Sequence, residues 1–305
     1  RMLDINVNFK QQRNHVGVEQ QACSNCGDCV TGCNRGAKNT TAMNYLPDAK
    51  NHGAEIFTEV AVSHVEKQTH GWLVFFNMLG ADRDKFDAPP LFVRAQKVFL
   101  CAGSLGSTEI LMRSANYGLE LSDMLGQRFT GNGDVLGFGY NCDQPVQGMG
   151  KAVEDGNTGD VGPCITSAID MRQQDSLEEG MTLEEGSIPL AISNIVAGAL
   201  IRFDRILGID TDKNPKDFLK EKWREIVSLV RGPHHGAANN TQVYLVMTHD
   251  DGQGEMSLQD NRIAIEWKGV GKQKIFEKVG DKPEQATQAL GGTFVKNPTF
   301  TKLFN

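Results

Sequence analysis

The chain has 305 residues, 39 % hydrophobic and 23 % charged, enough to build one large or two ordinary domains. A net charge of -7 excludes nucleic acid as the main partner, because phosphate binding needs a basic surface. No apolar run approaches the ~20 residues of a membrane span. This composition leads to the expectation of a soluble chain, with the cytoplasm slightly favoured over the periplasm, although the absence of a targeting signal says little.

The first chemistry-bearing stretch holds Cys23, Cys26, Cys29 and Cys33 in eleven residues. Its C-x2-C-x2-C-x3-C spacing is that of ferredoxin cluster ligands. Gly27 and Gly32 give the run the backbone freedom of a tight loop. Three chemistries compete for it: an iron–sulfur cluster, disulfides or idle thiols, and zinc. Structural zinc normally takes two ligand pairs around a longer spacer, which is absent. Asn34 rather than Pro follows Cys33 and no second motif exists, which excludes a two-cluster ferredoxin. Cys101, Cys142 and Cys164 are spaced widely and read as ordinary buried cysteines.

Farther along, Asn39-Thr40-Thr41 supplies capping oxygens for a helix ending near Gly53, which Pro47 should kink or shorten. Ile56 to Val65 alternates as a strand, and Gly71 to Phe76 reads as its hairpin partner. The charged stretch Asp82–Pro90 is a loop. Val93–Cys101 reads as a strand, turning through Ala102-Gly103 into a helix that opens at Ser107-Thr108 with Glu109 as its first-turn acid. Asp143 to Gly162, rich in Gly, Asp and Gln, reads as a boundary or mobile surface segment. Pro215 to Arg231 is an amphipathic helix with Phe218, Leu219, Trp223, Ile226, Leu229 and Val230 on one face, stopped by Gly232-Pro233. Trp223 and Trp267 read as core residues. Val243–Met247, Glu255–Leu258 and Arg262–Trp267 read as antiparallel strands.

The strand, glycine turn and helix start of residues 98–113 would present backbone N–H groups beside a helix N-terminus, a seat for an anionic or planar cofactor. The same stretch, VFLCAGSLGSTEILMR, resembles that of the glucose-methanol-choline (GMC) flavoprotein family, cholesterol oxidase-like branch. Four further segments match in order: Gly36 to Leu46, Glu55–Val65, Gly126 to Asp134, and Glu184 to Pro189, with Leu290 to Thr293 and Asn297-Pro298 as the lead-in to the family's catalytic histidine segment. The family's GxGxxG loop and its histidine segment are both missing. The expectation is therefore a fragment from the middle of a longer flavoenzyme.

The resemblance implies an α/β (α+β) fold: a cysteine-rich or lid segment at 1–35, part of an FAD-binding domain at 36–139, and a substrate domain at 140–305 with an antiparallel sheet and covering helices. It implies FAD as cofactor, contacted by Val60, Ala102, Gly103, Gly106, Asn132 and Gly133. Catalysis falls to Glu185, with Glu184 the alternative inward carboxylate, and to Asn132, which either meets the flavin edge or holds its own turn. The expected activity is hydride transfer from an alcohol CH–OH to flavin. Iron–sulfur sugar dehydrogenases of the family carry a comparable cysteine cluster, which favours Cys23, Cys26, Cys29 and Cys33 as cluster ligands, Cys23 the most dispensable. Electrons would then pass to an acceptor protein or quinone. The other readings are an oxidase whose cysteines are structural and a non-catalytic binding fragment. The substrate alcohol is not legible. His234-His235 and Asp250-Asp251-Gly252 read as a solvated pair and a hairpin turn rather than metal sites.

Overall fold

The structure is a computed structural model describing residues 1–3, 5–81, 83, 88–154, 156–211 and 217–296. In chain order the elements are β1 (Gln12–Arg13), β2 (Glu19–Gln20), α1 (Tyr45–Asn51), β3 (Val60–Gln68), β4 (Gly71–Met78), β5 (Leu91–Ala95) and α2 (Gly103–Ala115). There follow β6 (Val135–Tyr140), β7 (Ala168–Met171), β8 (Met181–Gly186), α3 (Leu190–Leu207), β9 (Gly208–Asp210), α4 (Phe218–Arg231) and α5 (Gly236–Asn239). The last are β10 (Gln242–Met247), β11 (Glu255–Gln259), β12 (Arg262–Glu266), α6 (Lys274–Ala289) and β13 (Thr293–Lys296). They form two compact units, one of residues 1–54, 132–250 and 271–305, the other of 55–131 and 251–270. These units cut across the consecutive segments 1–35, 36–139 and 140–305, because β-pairing joins stretches far apart in the chain.

The larger unit is built on a six-stranded antiparallel sheet in the order β7-β8-β10-β6-β13-β9. Alternation along the strands makes both faces apolar over the covered area. On one face Leu183, Tyr244, Val246 and Phe294 pack with Val279 of α6. On the other Tyr140, Val243 and Val295 pack with Ala197, Leu200 and Ile201 of α3 and Ala237 and Ala238 of α5. This is the expected antiparallel sheet with covering helices.

In the smaller unit β3, β4 and β5 form an antiparallel sheet, with an irregularity between Val62 and His64. Buried Ser114 ties α2 to it, accepting the Val65 N–H at 2.9 Å and donating to Ile110 O at 2.7 Å. The separate hairpin β11-β12 turns at Asp260-Asn261, both at positive φ.

Several expectations are corrected. The capping residue of α1 is Asn44, whose Oδ1 accepts the Tyr45 N–H at 2.6 Å; Pro47 lies in the first turn, where its missing N–H costs little. β3 starts at Val60 rather than Ile56. Val98–Cys101 forms no strand: among the described residues no neighbour pairs with it, and Phe99 is 84 % exposed. α2 opens at Gly103, not Ser107, with Ser107 Oγ accepting the Ala102 N–H at 3.0 Å. The apolar face of α4 is exposed, Trp223 included, while Glu225 and Ser228 are buried. Periodicity shows that one face is apolar, not what covers it. Trp267 is half-buried, stacked edge-on against Phe129 and donating to Asp251 Oδ1 at 2.9 Å. Of the wide-spaced cysteines, only Cys142 is buried; Cys101 is exposed and Cys164 intermediate. The predicted elements at Asp82–Pro90, Pro215 and Asn297-Pro298 lie partly or wholly outside the described residues. Among the described residues no helix is long and apolar enough to cross a membrane.

Candidate functional site

The cysteine run curls around a cavity of about 260 Å³ lined by Cys23, Cys26, Cys29 and Cys33. Gly27 and Gly32 take φ of +77° and +99°, which lets the chain fold back on itself between the thiols. The stretch Asp143 to Gly162, expected to be a boundary or mobile, instead supplies bonds that clamp the loop. Lys151 N–H donates to Cys26 O at 2.9 Å, Gly159 N–H to Ser24 O at 2.7 Å, and Gly162 N–H to Asn25 O at 3.1 Å. Ser187 Oγ donates to Gly27 O at 2.6 Å. Asp28 Oδ1 accepts the Leu190 N–H at the start of α3 at 2.7 Å, where Pro189 offers no side-chain cap. Each bond satisfies a loop carbonyl or a helix N–H that would otherwise need water.

This clamp delivers a fifth thiol. Cys164 Sγ lies 3.1 Å from Ser187 Oγ and 3.6 Å from Gly27 O, beside Cys29. The neighbouring Cys29 thiol draws the Cys164 thiol down to about 6, helped by Ser187 and opposed by burial, and Cys164 in turn pushes the Cys29 thiol up. Burial raises Cys23, with Cys26 and Cys33 adding to it. All seven cysteines are free. Among the described residues no three Cys, His, Asp or Glu are placed to hold one metal ion. A tetrahedral zinc would need its sulfurs about 3.8 Å apart, from Zn–S bonds of about 2.3 Å. The thiols stand around a space rather than a point, and the space is several times the ~30 Å³ of one water. An all-thiol donor set around such a cavity fits a multi-iron cluster, in which the cysteines divide among the irons.

Glu184 and Glu185 follow one another on β8, so they project to opposite faces of the sheet. Glu185 is pinned: its Oε1 accepts both the backbone N–H of Thr166 and, at 2.7 Å, its hydroxyl. It lines a second cavity, of about 230 Å³, with Cys164, Thr166 and Ser187. Glu184 lies on the α3 side, in register with Leu245 and Ala168. Burial raises its pKa, and the nearby charges of Asp134 and Glu185 add to the shift. Asn132 and Gly133 form a turn with both φ positive, at +62° and +58°. Asn132 Nδ2 donates to Asp134 Oδ1 at 3.0 Å, its carbonyl accepts the Thr248 N–H, and Gly133 N–H donates to Asp250 Oδ2. Burial raises Asp134 as well. The Asn132 turn thus opens the strand that carries Asp134 toward Glu184.

In the smaller unit, Ala102 and Gly103 start α2 with no side-chain cap, and both are exposed. Gly103 stands at φ +71°, where an added Cβ would meet open space, and Gly106 sits one turn on. Val60 begins β3. An uncapped helix N-terminus beside a bare backbone turn fits an anionic, planar group such as a flavin nucleotide.

Residues 8–130 match the GMC oxidoreductase family. Over those residues the chain is similar to that family. It is 32 % identical over 154 residues to a cholesterol oxidase of Acinetobacter baumannii, a match covering 48 % of this chain and 27 % of that protein. Over 108 residues it is 34 % identical to a cholesterol oxidase of Mycobacterium tuberculosis, covering 34 % of this chain and 18 % of that one. The chain thus aligns with about a quarter or less of these relatives' length. The GMC match contains the cysteine run, Val60 and the Ala102–Gly106 turn, while Asn132, Glu184, Glu185 and Cys164 lie beyond it. The fifth thiol escaped sequence reasoning because its partner is distant in the chain.

Proposed function

We propose that the chain is part of an FAD-dependent oxidoreductase acting on the CH–OH group of an alcohol. The observation that carries this reading is the GMC match over residues 8–130, which spans the exposed turn Ala102-Gly103 and the start of β3. Bound there, the flavin supplies the hydride acceptor. The chain's own contribution is binding and proton handling. In the smaller unit Ala102, Gly103 and Gly106 offer backbone with little side chain in the way, with Val60 as a further contact. A carboxylate of the Glu184–Glu185 pair accepts the hydroxyl proton as the C–H bond breaks. Glu184 suits that task better, because it is raised by burial and makes no hydrogen bond among the described residues, whereas Glu185 is spent on Thr166. Asn132 holds the turn that places Asp134 beside Glu184.

The cysteine cavity favours a finer statement: an iron–sulfur cluster that takes electrons onward to an acceptor protein or quinone. Its support is the convergence of four thiols on one cavity.

The test is anaerobic titration of the complete gene product with sterol and sugar alcohols. The expected result is bleaching of the oxidised-flavin band by one of these classes. Glu184→Gln should slow it at least about a hundredfold while flavin stays bound, and Glu185→Gln should slow it less. Protein with no bound flavin, or bleaching unchanged in Glu184→Gln and abolished in Glu185→Gln, would refute the assignment.

A further inference from the structure

We propose that Cys164 is a ligand of the metal site formed by the cysteine run, so that one of the four run cysteines stands outside the ligand set. The inference rests on the cluster reading above. Three observations in the larger unit carry it. First, Cys164 is the one cysteine from outside the run whose side chain reaches it, its Sγ lying 3.6 Å from Gly27 O, between Cys26 and Cys29 in the run. Second, its position is built. The Gly162 N–H bond to Asn25 O fixes the chain two residues before it, and Ser187, bonded to both Gly27 O and Cys164, fixes it from the β8 side. Third, Gly162 and Pro163 line both the thiol cavity and the adjoining one, and Cys164 follows them directly in the chain and lines the latter.

Ligand arithmetic points the same way. A four-iron cluster takes four thiolates, and in a ferredoxin run the first three cysteines serve one cluster while the fourth ligand comes from a distant part of the chain. This chain has no second run, and Cys164 occupies the place of that distant ligand. On ligation its S–H bond is replaced by S–Fe and the proton is released to solvent. No electron is exchanged in that step.

The test uses the complete gene product purified without oxygen, with iron and acid-labile sulfide measured on each preparation. Loaded and chelator-stripped protein are alkylated with iodoacetamide and each cysteine is quantified by mass spectrometry. Cys164 should label at least about tenfold less in loaded than in stripped protein, together with three run cysteines, while exposed Cys101 labels equally in both. Cys164→Ser should change the EPR spectrum of the reduced cluster, or lower iron per chain by about a quarter or more, with flavin content unchanged. Iron-replete protein in which Cys164 labels as in the stripped form, or a Cys164→Ser variant with full iron and an unaltered EPR spectrum, overturns the proposal. Protein lacking iron and sulfide altogether overturns the cluster reading, and this one with it.

Discussion

Glu109 sits in the middle of α2 and closes the smaller unit from two sides. Its Oε2 accepts the Ile263 N–H of β12 at 2.7 Å, and its Oε1 pairs with Arg113 Nη2, one turn on, at 2.5 Å. Arg113 in turn donates to Asn261 O at the hairpin turn. Glu109→Ala removes a charge-assisted bond to a backbone N–H, worth about 1.5–3 kcal/mol when the donor is left unmade. It also removes an i,i+4 ion pair whose side chains are only 12 % and 16 % exposed, worth about 0.5–1 kcal/mol beyond that. Arg113 keeps its Asn261 contacts, so no buried cation is orphaned. The expected loss is about 2–4 kcal/mol, and Glu109→Gln, which keeps an acceptor, should lose about 1 kcal/mol. Native-state hydrogen exchange reads the effect locally: the Ile263 amide should exchange roughly 30- to 800-fold faster in the alanine variant. Amides of β10, in the larger unit, should change little. Ile263 exchange within about threefold of wild type would refute the assignment of this contact as the tie between α2 and the hairpin.

Three further outcomes follow from other contacts. Buried His64 is stacked between Phe75 and Tyr117 at 4.5 and 3.7 Å, and burial lowers its pKa despite nearby Glu66. With the folded value below the unfolded ~6.5, its contribution is complete above that pH and is lost as pH falls through the window beneath it, by at most about 1.4 kcal/mol per pH unit. Urea midpoints of the smaller unit's transition should therefore drop between neutral and mildly acid pH, and His64→Phe should flatten that slope; an equal slope in the variant counts against it. Gly27→Ala puts a Cβ 2.4 Å from Val161 Cγ1 at φ +77°, whereas Gly32→Ala at φ +99° meets open space. The first should cost about 2–4 kcal/mol and the second about 1–2 kcal/mol, and equal losses of thermal stability would contradict the packing described. Asp28→Ala should destabilise the first turn of α3 by about 1–2 kcal/mol, seen as faster exchange at Leu190, with Asp28→Asn recovering part of it. Unchanged exchange in the alanine variant would show that water replaces the cap.

What the sequence determined by itself was local or carried by ordered motifs. Alternation in Gly71–Phe76 and Val243–Met247, the Asp-Asn turn before Arg262 and the glycines of the cysteine run are short-range signals, and the structure realises them as β4, β10, a hairpin and a positive-φ loop. The in-order resemblance likewise pointed to the GMC family before any fold was known, and residues 8–130 match it. Tertiary structure alone decided the rest. Val98–Cys101 reads as a strand but has no partner among the described residues to make it one, since a strand exists only through a neighbour's hydrogen bonds. The apolar face of α4 is legible, but its exposure is not. The Gly-rich stretch Asp143 to Gly162 looks like slack chain because the bonds by which Lys151, Gly159 and Gly162 hold the cysteine run reach residues more than a hundred positions earlier. For the same reason Cys164 reads as an ordinary cysteine until the fold brings it to Cys29. Spacing can encode the contacts of one loop, but not which distant thiol the chain returns to it.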